Sequence, residues 1–431
     1  MSPHLVRLLT IILFIVLPVQ EAMANPVAIV DVKVFDGEMV IPKATVIFDN
    51  GIVTSVSPGA ASEDVRRDDA LTVVDGQGMT LLPGLMDGHY HTSGELGGLQ
   101  ASIRMGVTSV FDTYTPEDKL AALRAQIGEE PDASYADFWS AGQAGNVPNG
   151  HGTRDPEADA IGSVGDIDRW LANRLAAGVD YIKLIAEPGF YPGMNTPSMD
   201  AELLRAATTA AQARGLPVIA HVSERRTAIW AIDAGVDILA HPWSGGVTPG
   251  MIEKMKRGGI TVMSTIGVYT GMYDPEGPRS ILQDPRLRTE LDDTGVGRLT
   301  EVFEVPASSP RNGPELLALI GTLHKSGVRI IAGTDAVNWW VWPGVSMHRE
   351  LELLVDSGLS PVAALHAATA AVADTFAIAD RGRIAAGKRA DLLLVAGDPI
   401  ANIRDTRNII AIWKAGQRVD RSGPPPTLST N

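Results

Sequence analysis

Histidines 89 and 91, Lys183, histidines 221 and 241 and Asp335 each sit where a strand should end, carried by an apolar, strand-like run. Those runs are LLPGLMDGHYH, YIKLI, LPVIAHV, VDILAHP and RIIAGTDA. Imidazole, amine and carboxylate groups gathered at strand ends form a donor set suited to divalent cations. The donors have to be nitrogen and oxygen, because the chain has no cysteine. That absence also excludes disulfides, thiolate metal sites and cysteine nucleophiles. The C-terminal face of a (β/α)8 barrel brings such strand-end residues together, which is the geometry a two-metal hydrolase needs.

Residues two apart on a strand face the same side, so His89 and His91 can hold one cation together. The alternative for such a pair is two buried, hydrogen-bonded histidines, and only the conjunction with the other strand ends argues against it. Lys183 is the least expected member, since an ammonium among apolar neighbours is costly unless neutralised or paired. A neutral lysine amine can add carbon dioxide to give a carbamate whose oxygens bridge two cations; the alternative is a lysine paired with a nearby carboxylate. His221 and His241 would complete a second cation site. Asp335 follows a Gly-Thr turn, where a carboxylate can touch the first metal and the bridging water together. His151, in Pro-Asn-Gly-His-Gly-Thr, is either a second catalytic group that polarises a substrate carbonyl or holds a substrate carboxylate, or a solvated loop histidine.

The elements that position these residues can be read from texture. From Leu81, strand-like runs alternate with helical stretches such as DIDRWLANRLAAG and GPELLALIGTLHKSG, and with the run before His89 the strands number eight. Regular βα alternation implies parallel strands with right-handed crossovers, hence an α/β fold with a closed (β/α)8 TIM barrel over residues 81–380. Residues 25–80 and 381–422 are β-rich and broken by turn signals, so the two chain ends are expected to form one small β-sandwich beside the barrel. Residues 268–311 read as a long loop over the barrel mouth, and 423–431, with Ser-Gly-Pro-Pro-Pro, as a flexible tail. At the N-terminus Arg7 precedes LLTIILFIVLPV, a run too short for a permanent span, and Ala22-Met23-Ala24 suits a signal peptidase. Residues 1–24 are therefore expected to be a cleaved signal peptide, Asn25 the mature start, and the destination periplasmic or secreted, with no stable membrane association after cleavage. An uncleaved anchor is the alternative.

With 45% hydrophobic and 20% charged residues the chain should bury a large core. Its formal charge of −15 and lack of a basic stripe exclude nucleic acid and anionic membranes as expected partners.

The run Gly88–Thr92, Tyr181-Ile182-Lys183, the histidines of PVIAHV and DILAHP, and Ala332-Gly333-Thr334-Asp335 together resemble the metal-dependent amidohydrolase superfamily. RGRIAAGKRADLLLVAGDPI at 381–400, after ELELLVDSGLSPVAALHAATA at 350–370, is similar to its imidazolonepropionase-like and prolidase-like branch. The resemblance implies a hydrolase in which two divalent cations, typically zinc, share a hydroxide. By that analogy His89, His91 and Asp335 bind one cation, His221 and His241 the other, carboxylated Lys183 bridges them, and Asp335 moves the proton.

The chain departs from that pattern at Ala240-His241-Pro242, where Glu-His-Gly is common. It departs again at Val222-Ser223, where an aromatic or histidine is common, and at Asn338-Trp339-Trp340-Val341-Trp342. The tryptophans could form an apolar wall at the mouth or pack beneath the loop. Arg154, Tyr191, Arg225 and Tyr269 follow strand ends and could reach substrate, whereas His324, His348 and His366 fall on helices and read as structural. The expected substrate is a small-molecule amide or peptide, a dipeptide or N-acyl amino acid. Alternatives are cyclic amides, lactones or xenobiotic esters, or a metal-bearing binding protein without turnover. A homo-oligomer is compatible with the sequence, and metal identity is left open by N and O donors.

Overall fold

A computed structural model of the chain describes residues 25–128, 132–154, 158–189, 195–274, 276–302 and 313–428. The expected signal peptide, Tyr191 and part of the 268–311 region lie outside the described residues.

The chain enters with β1 (Val27–Phe35), β2 (Val40–Asp49), β3 (Ile52–Pro58), β4 (Thr72–Asp75) and β5 (Met79–Pro83). Strands β6 (Leu85–Tyr90), β7 (Val107–Asp112), β8 (Asp137–Ser140), β9 (Ile182–Ala186), β10 (Val218–Val222), β11 (Ile238–Ala240), β12 (Thr261–Met263) and β13 (Ile330–Ile331) then alternate with helices. Finally β14 (Leu392–Ala396), β15 (Ile409–Lys414) and β16 (Gln417–Arg418) return beside the first group.

The middle strands match the runs read from the sequence. They form two parallel arcs, β6-β7-β8 and β13-β12-β11-β10-β9. Single parallel bridges join the arcs at both seams, Gly145 with Leu184 and Tyr90 with Ala336. At the first seam the Gly145 N–H donates to the Lys183 carbonyl at 2.8 Å. At the second, the Asp335 N–H donates to the His89 carbonyl at 2.8 Å. That seam needs two glycines. A Cβ on Gly88 would stand 2.8 Å from the Ala332 carbonyl oxygen, and one on Gly333 would stand 2.8 Å from the His89 backbone nitrogen. The fold is thus TIM-barrel-like, with parallel strands around a core that includes Met86, Phe111, Ile219, Ile238, Met263 and Ile331.

Both chain ends do pair. They form one eight-stranded mixed sheet in the order β16-β15-β14-β5-β1-β2-β3, with β4 beside β1. Ile29, Val46, Phe48, Leu81, Leu392 and Trp413 share its core, so neither end can bury its apolar face alone. An antiparallel bridge from Ile52 to Arg389 links β3 with the segment ahead of β14.

Two expectations need correction. The region 268–311 is not an irregular loop where it is described: it contains helices Ile266–Tyr273, Glu276–Gln283, Pro285–Arg288 and Asp293–Thr300. Asp284 and Asp292 accept the Arg286 and Gly295 N–H groups as caps, and Pro285 opens its helix, signals that outweigh the proline content. In the stretch expected as a flexible tail, Leu428 is buried and its N–H donates to Asp292. Among the described residues no helix is long and apolar enough to cross a membrane.

Candidate active site and metal centre

Strand β6 ends with Asp87, His89 and, one residue beyond it, His91 on a common face. The His91 Nε2 lies 2.7 Å from the Asp335 Oδ1, and the His89 Nε2 lies 3.3 Å from the same oxygen. Lys183, on β9, places its Nζ 3.4 Å from the His89 Nε2. His241, just after β11, has its ring 4.6 Å from the His89 ring, tilted at 45°, and puts Nδ1 3.9 Å from the Asp335 Oδ2. Ligand atoms of His89, His241 and Asp335 all lie within 4.8 Å of one another. The His221 ring, on β10, is 4.3 Å from His241 and 5.0 Å from His151. Every residue singled out as a ligand, together with His151, therefore converges on one place.

The donor set suits divalent cations. Two donors each about 2.1 Å from a cation at a tetrahedral angle stand roughly 3.4 Å apart, close to the His89–Asp335 separation. Burial holds the His89 and His241 imidazoles well below the usual histidine range, reinforced by neighbouring histidines and Lys183, so both keep a lone pair at neutral pH. Burial likewise pulls the Lys183 ammonium down to about 7, against the opposing pull of Asp335 and Asp112. A lysine so placed is partly a neutral amine at neutral pH, the form able to react with carbon dioxide. Burial also lowers His151 to about 3, which makes it a neutral imidazole beside His221.

Three buried carboxylates hold the frame. Asp87 accepts the Thr334 N–H at 2.8 Å, the Thr334 hydroxyl at 2.5 Å and the His89 N–H at 3.2 Å, tying β6 to the turn that carries Asp335. Asp112, at the end of β7, accepts the Thr92 N–H at 2.8 Å and hydroxyls from Thr115 and Ser140. Glu350, from helix Val345–Asp356, accepts the Ser264 hydroxyl and the Ile266 and Gly267 N–H groups. Between those contacts lies Thr265, whose hydroxyl is 2.9 Å from the His241 Nδ1. His241 (φ 76°), Thr265 (φ 35°) and Asp335 (φ 63°) all adopt the left-handed region that disfavours a Cβ. Such outliers persist where surrounding contacts over-determine the backbone, and here they cluster around the candidate ligands.

Glu187 escaped the sequence reading. It is fully buried one residue past β9, with its Oε2 3.2 Å from the His221 Nε2. The period of two counted from Lys183 could have found it, since 183, 185 and 187 share a face.

The remaining candidates divide. Tyr269 joins the site, its ring 5.4 Å from His241. Arg154 is exposed. Arg225 is exposed too and lines a separate surface cleft of about 500 Å³ with Arg226, Trp230 and Glu315. His348 is structural, its nitrogens 2.9 Å from the Thr406 hydroxyl and 3.0 Å from the Met105 carbonyl. His366 donates to the Gly37 carbonyl, and His324 is half-buried on its helix. Of the tryptophans, Trp342 is buried against Gly295 and Leu299, and Trp340 donates to the Glu301 carbonyl. Those two pack beneath the helical cover. Trp339 is half-buried, with the Arg298 guanidinium 4.1 Å over its ring.

The sequence profile of the amidohydrolase family matches residues 80–419. No curated protein matches the sequence. Among solved structures, the chain is similar to a Xaa-Pro dipeptidase with methionine bound in its active site (22% identity, 91% of this chain and 99% of that one, TM-score 0.71). It is also similar to a candidate prolidase from Bifidobacterium longum (24%, 94% and 97%, 0.72) and to the ochratoxinase of A. niger (19%, 94% and 98%, 0.69). At these identities the likeness speaks for the fold, and the family profile, spanning most of the chain, speaks for the chemistry. The chain belongs to the amidohydrolase family and is a metal-dependent hydrolase acting on carbon–nitrogen bonds.

Proposed function

We propose that this chain is an exported two-metal hydrolase that cuts the amide bond of a dipeptide or N-acyl amino acid. The observation that carries the reading is the convergence of His89, His91, Lys183, His221, His241 and Asp335 on one buried place where donor separations suit cations. His89, His91 and Asp335 would hold one ion, His221 and His241 the other, and Lys183, as its carbamate, both. Bound there, divalent cations such as zinc supply a water acidified toward neutrality and a Lewis acid for the carbonyl.

The chain's own groups do the rest. Asp335, anchored by His91, takes the proton of the attacking water and returns it to the departing amine. His151, kept neutral by burial, offers a hydrogen bond to the substrate carbonyl or carboxylate beside His221. Tyr269 and Tyr114, whose rings lie 5.4 Å from His241 and 6.5 Å from His91, shape the walls and limit water. The structural likeness to a Xaa-Pro dipeptidase supports a peptide substrate.

The same reading takes the two parallel arcs as one closed eight-stranded barrel over residues 81–380, supported by the bridges at both seams. It takes the terminal sheet, from 25–80 and 381–422, as the accompanying sandwich. Export rests on the charged, apolar and small-residue segments of residues 1–24. Elemental analysis of purified protein with a screen of dipeptides, N-acyl amino acids and lactones tests the function. Close to two divalent ions per chain and chelator-sensitive amide hydrolysis are expected. Retained ions without turnover across the screen would instead favour a binding protein.

A further inference from the structure

Glu187 lies inside the site, yet the ligand set does not use it. Registered pairing places His221 of β10 opposite Ile185 of β9. Lys183 and Glu187 stand two residues to either side on the same face, so β9 brackets the His221 ring with an amine and a carboxylate. The carboxylate is held in place: Oε1 accepts the Gly189 N–H at 2.8 Å, while Oε2 meets the His221 Nε2 at 3.2 Å. A carboxylate has no hydrogen to give, so the imidazole is the donor in that contact. An imidazole that donates through Nε2 keeps its lone pair on Nδ1.

We propose that Glu187 is the positioning residue of His221, fixing its tautomer and ring orientation so that Nδ1 is the nitrogen offered to a cation. This rests on the two-metal reading above and deepens it. The physical reason is general: a carboxylate behind a ligating histidine locks the ring and raises its basicity, and losing it costs about 10–100-fold in metal affinity. His241 has a different device, the Thr265 hydroxyl at 2.9 Å, which carries no charge. The two histidines expected to share a cation are thus tuned unequally: a carboxylate oxygen meets the His221 Nε2 at 3.2 Å, whereas a hydroxyl is the near partner of the His241 Nδ1, with the Asp335 carboxylate at 3.9 Å.

The test uses chelator-stripped full-length protein titrated with Zn2+ against a chromophoric competitor, with Glu187→Ala and Glu187→Gln alongside wild type. Wild type should take up two equivalents. Glu187→Ala should bind one of them about 10–100-fold more weakly and leave the other unchanged. Glu187→Gln, whose amide oxygen still accepts the N–H, should recover most of that loss. Long-range proton–nitrogen NMR of the stripped protein supplies a readout that a merely structural role would not move. His221 should show the Nε2–H tautomer in wild type and Glu187→Gln, and a mixture in Glu187→Ala.

Two tight equivalents in Glu187→Ala, or an Nδ1–H tautomer for His221 in wild type, would overturn the inference. Equal losses in Glu187→Gln and Glu187→Ala would overturn it in favour of Glu187 as a direct ligand. A wild type that takes up no second equivalent would overturn the two-metal reading itself, a failure distinguishable from these.

Discussion

Asp335 sits on a left-handed backbone with one oxygen shared between His89 and His91, so its carboxylate is both a candidate ligand and the nearest base. Replacing it with asparagine keeps an oxygen donor of the same reach but removes the ability to take a proton. Asp335→Asn should lower kcat/KM by about 10²–10⁴-fold, the usual range for a lost general base, while elemental analysis finds a smaller change in bound metal. Equal activity in the variant would show that the proton goes elsewhere. Lys183 gives a second test. Burial pulls its ammonium down to about 7, so the amine that can add carbon dioxide forms as pH rises through that value. With labelled bicarbonate, carbon-13 NMR of the metal-loaded protein at pH 8 should show a carbamate resonance that is absent in Lys183→Ala. A wild-type spectrum without it would leave the lysine an ordinary amine.

The strands were legible because most candidate ligands close an apolar run, and a run followed by a polar residue of metal-binding type is a local pattern; Lys183 is the exception, the second residue of β9 rather than its end. The helices were legible for a similar reason: DIDRWLANRLAAG and GPELLALIGTLHKSG became Ile167–Ala176 and Gly313–Lys325, each ending near a glycine. The buried carboxylates were not legible. Asp87, Asp112 and Glu350 serve backbone N–H groups and hydroxyls supplied largely by distant segments, and no spacing in the chain encodes those partners. Asp137, half-buried at the start of β8, was no more legible. It meets Arg389 and Lys414 at 2.6 Å each and also pairs with Arg381, which locks the lower end of that strand to the C-terminal segment. Burial alone would raise its pKa, but those three cations outweigh it and hold the group at about 2. A carboxylate lower in the folded than in the unfolded state adds stability that is complete above about pH 4 and is lost as pH falls through about 2, worth about 2 kcal/mol. Asp137→Asn should therefore cost about 3 kcal/mol at neutral pH, because Lys414 and the arginines stay buried without their shared anion. Urea denaturation of variant and wild type at pH 7 and pH 2.5 checks both statements: the gap should narrow at the lower pH. A gap independent of pH would assign the loss to packing.

Continuity between the two arcs rests on a short set of backbone hydrogen bonds at each seam: the Asp180, Gly145 and Ile185 N–H groups donate across the first, and those of Gly88, His91 and Asp335 across the second. Each seam has a single bridge, and the backbone approach at one of them is so close that Gly88 and Gly333 admit no side chain. The candidate ligands straddle these seams. His89 and His91 come from the three-stranded arc, Lys183, His221 and His241 from the five-stranded arc, and Asp335 follows β13 at the seam itself. Ions bound by donors from both arcs would act as cross-links that exist only in the folded state, since the unfolded chain separates residues 89 and 335 by most of its length. The stability gained is set by mass action, about 2.7 kcal/mol per ion when the free ion stands at 100 times its Kd. For a chain of this size that corresponds to a shift in Tm on the order of a few degrees. Stripping with a chelator should lower Tm by that amount, and adding back zinc should restore it in proportion to the logarithm of free metal. Hydrogen exchange locates the effect: on stripping, amides at 88, 91, 335 and 145 should lose more protection than those in the terminal sheet. A Tm indifferent to metal, with protection unchanged at both seams, would mean that packing and hydrogen bonds join the arcs unaided and that ions contribute to chemistry without contributing to the fold.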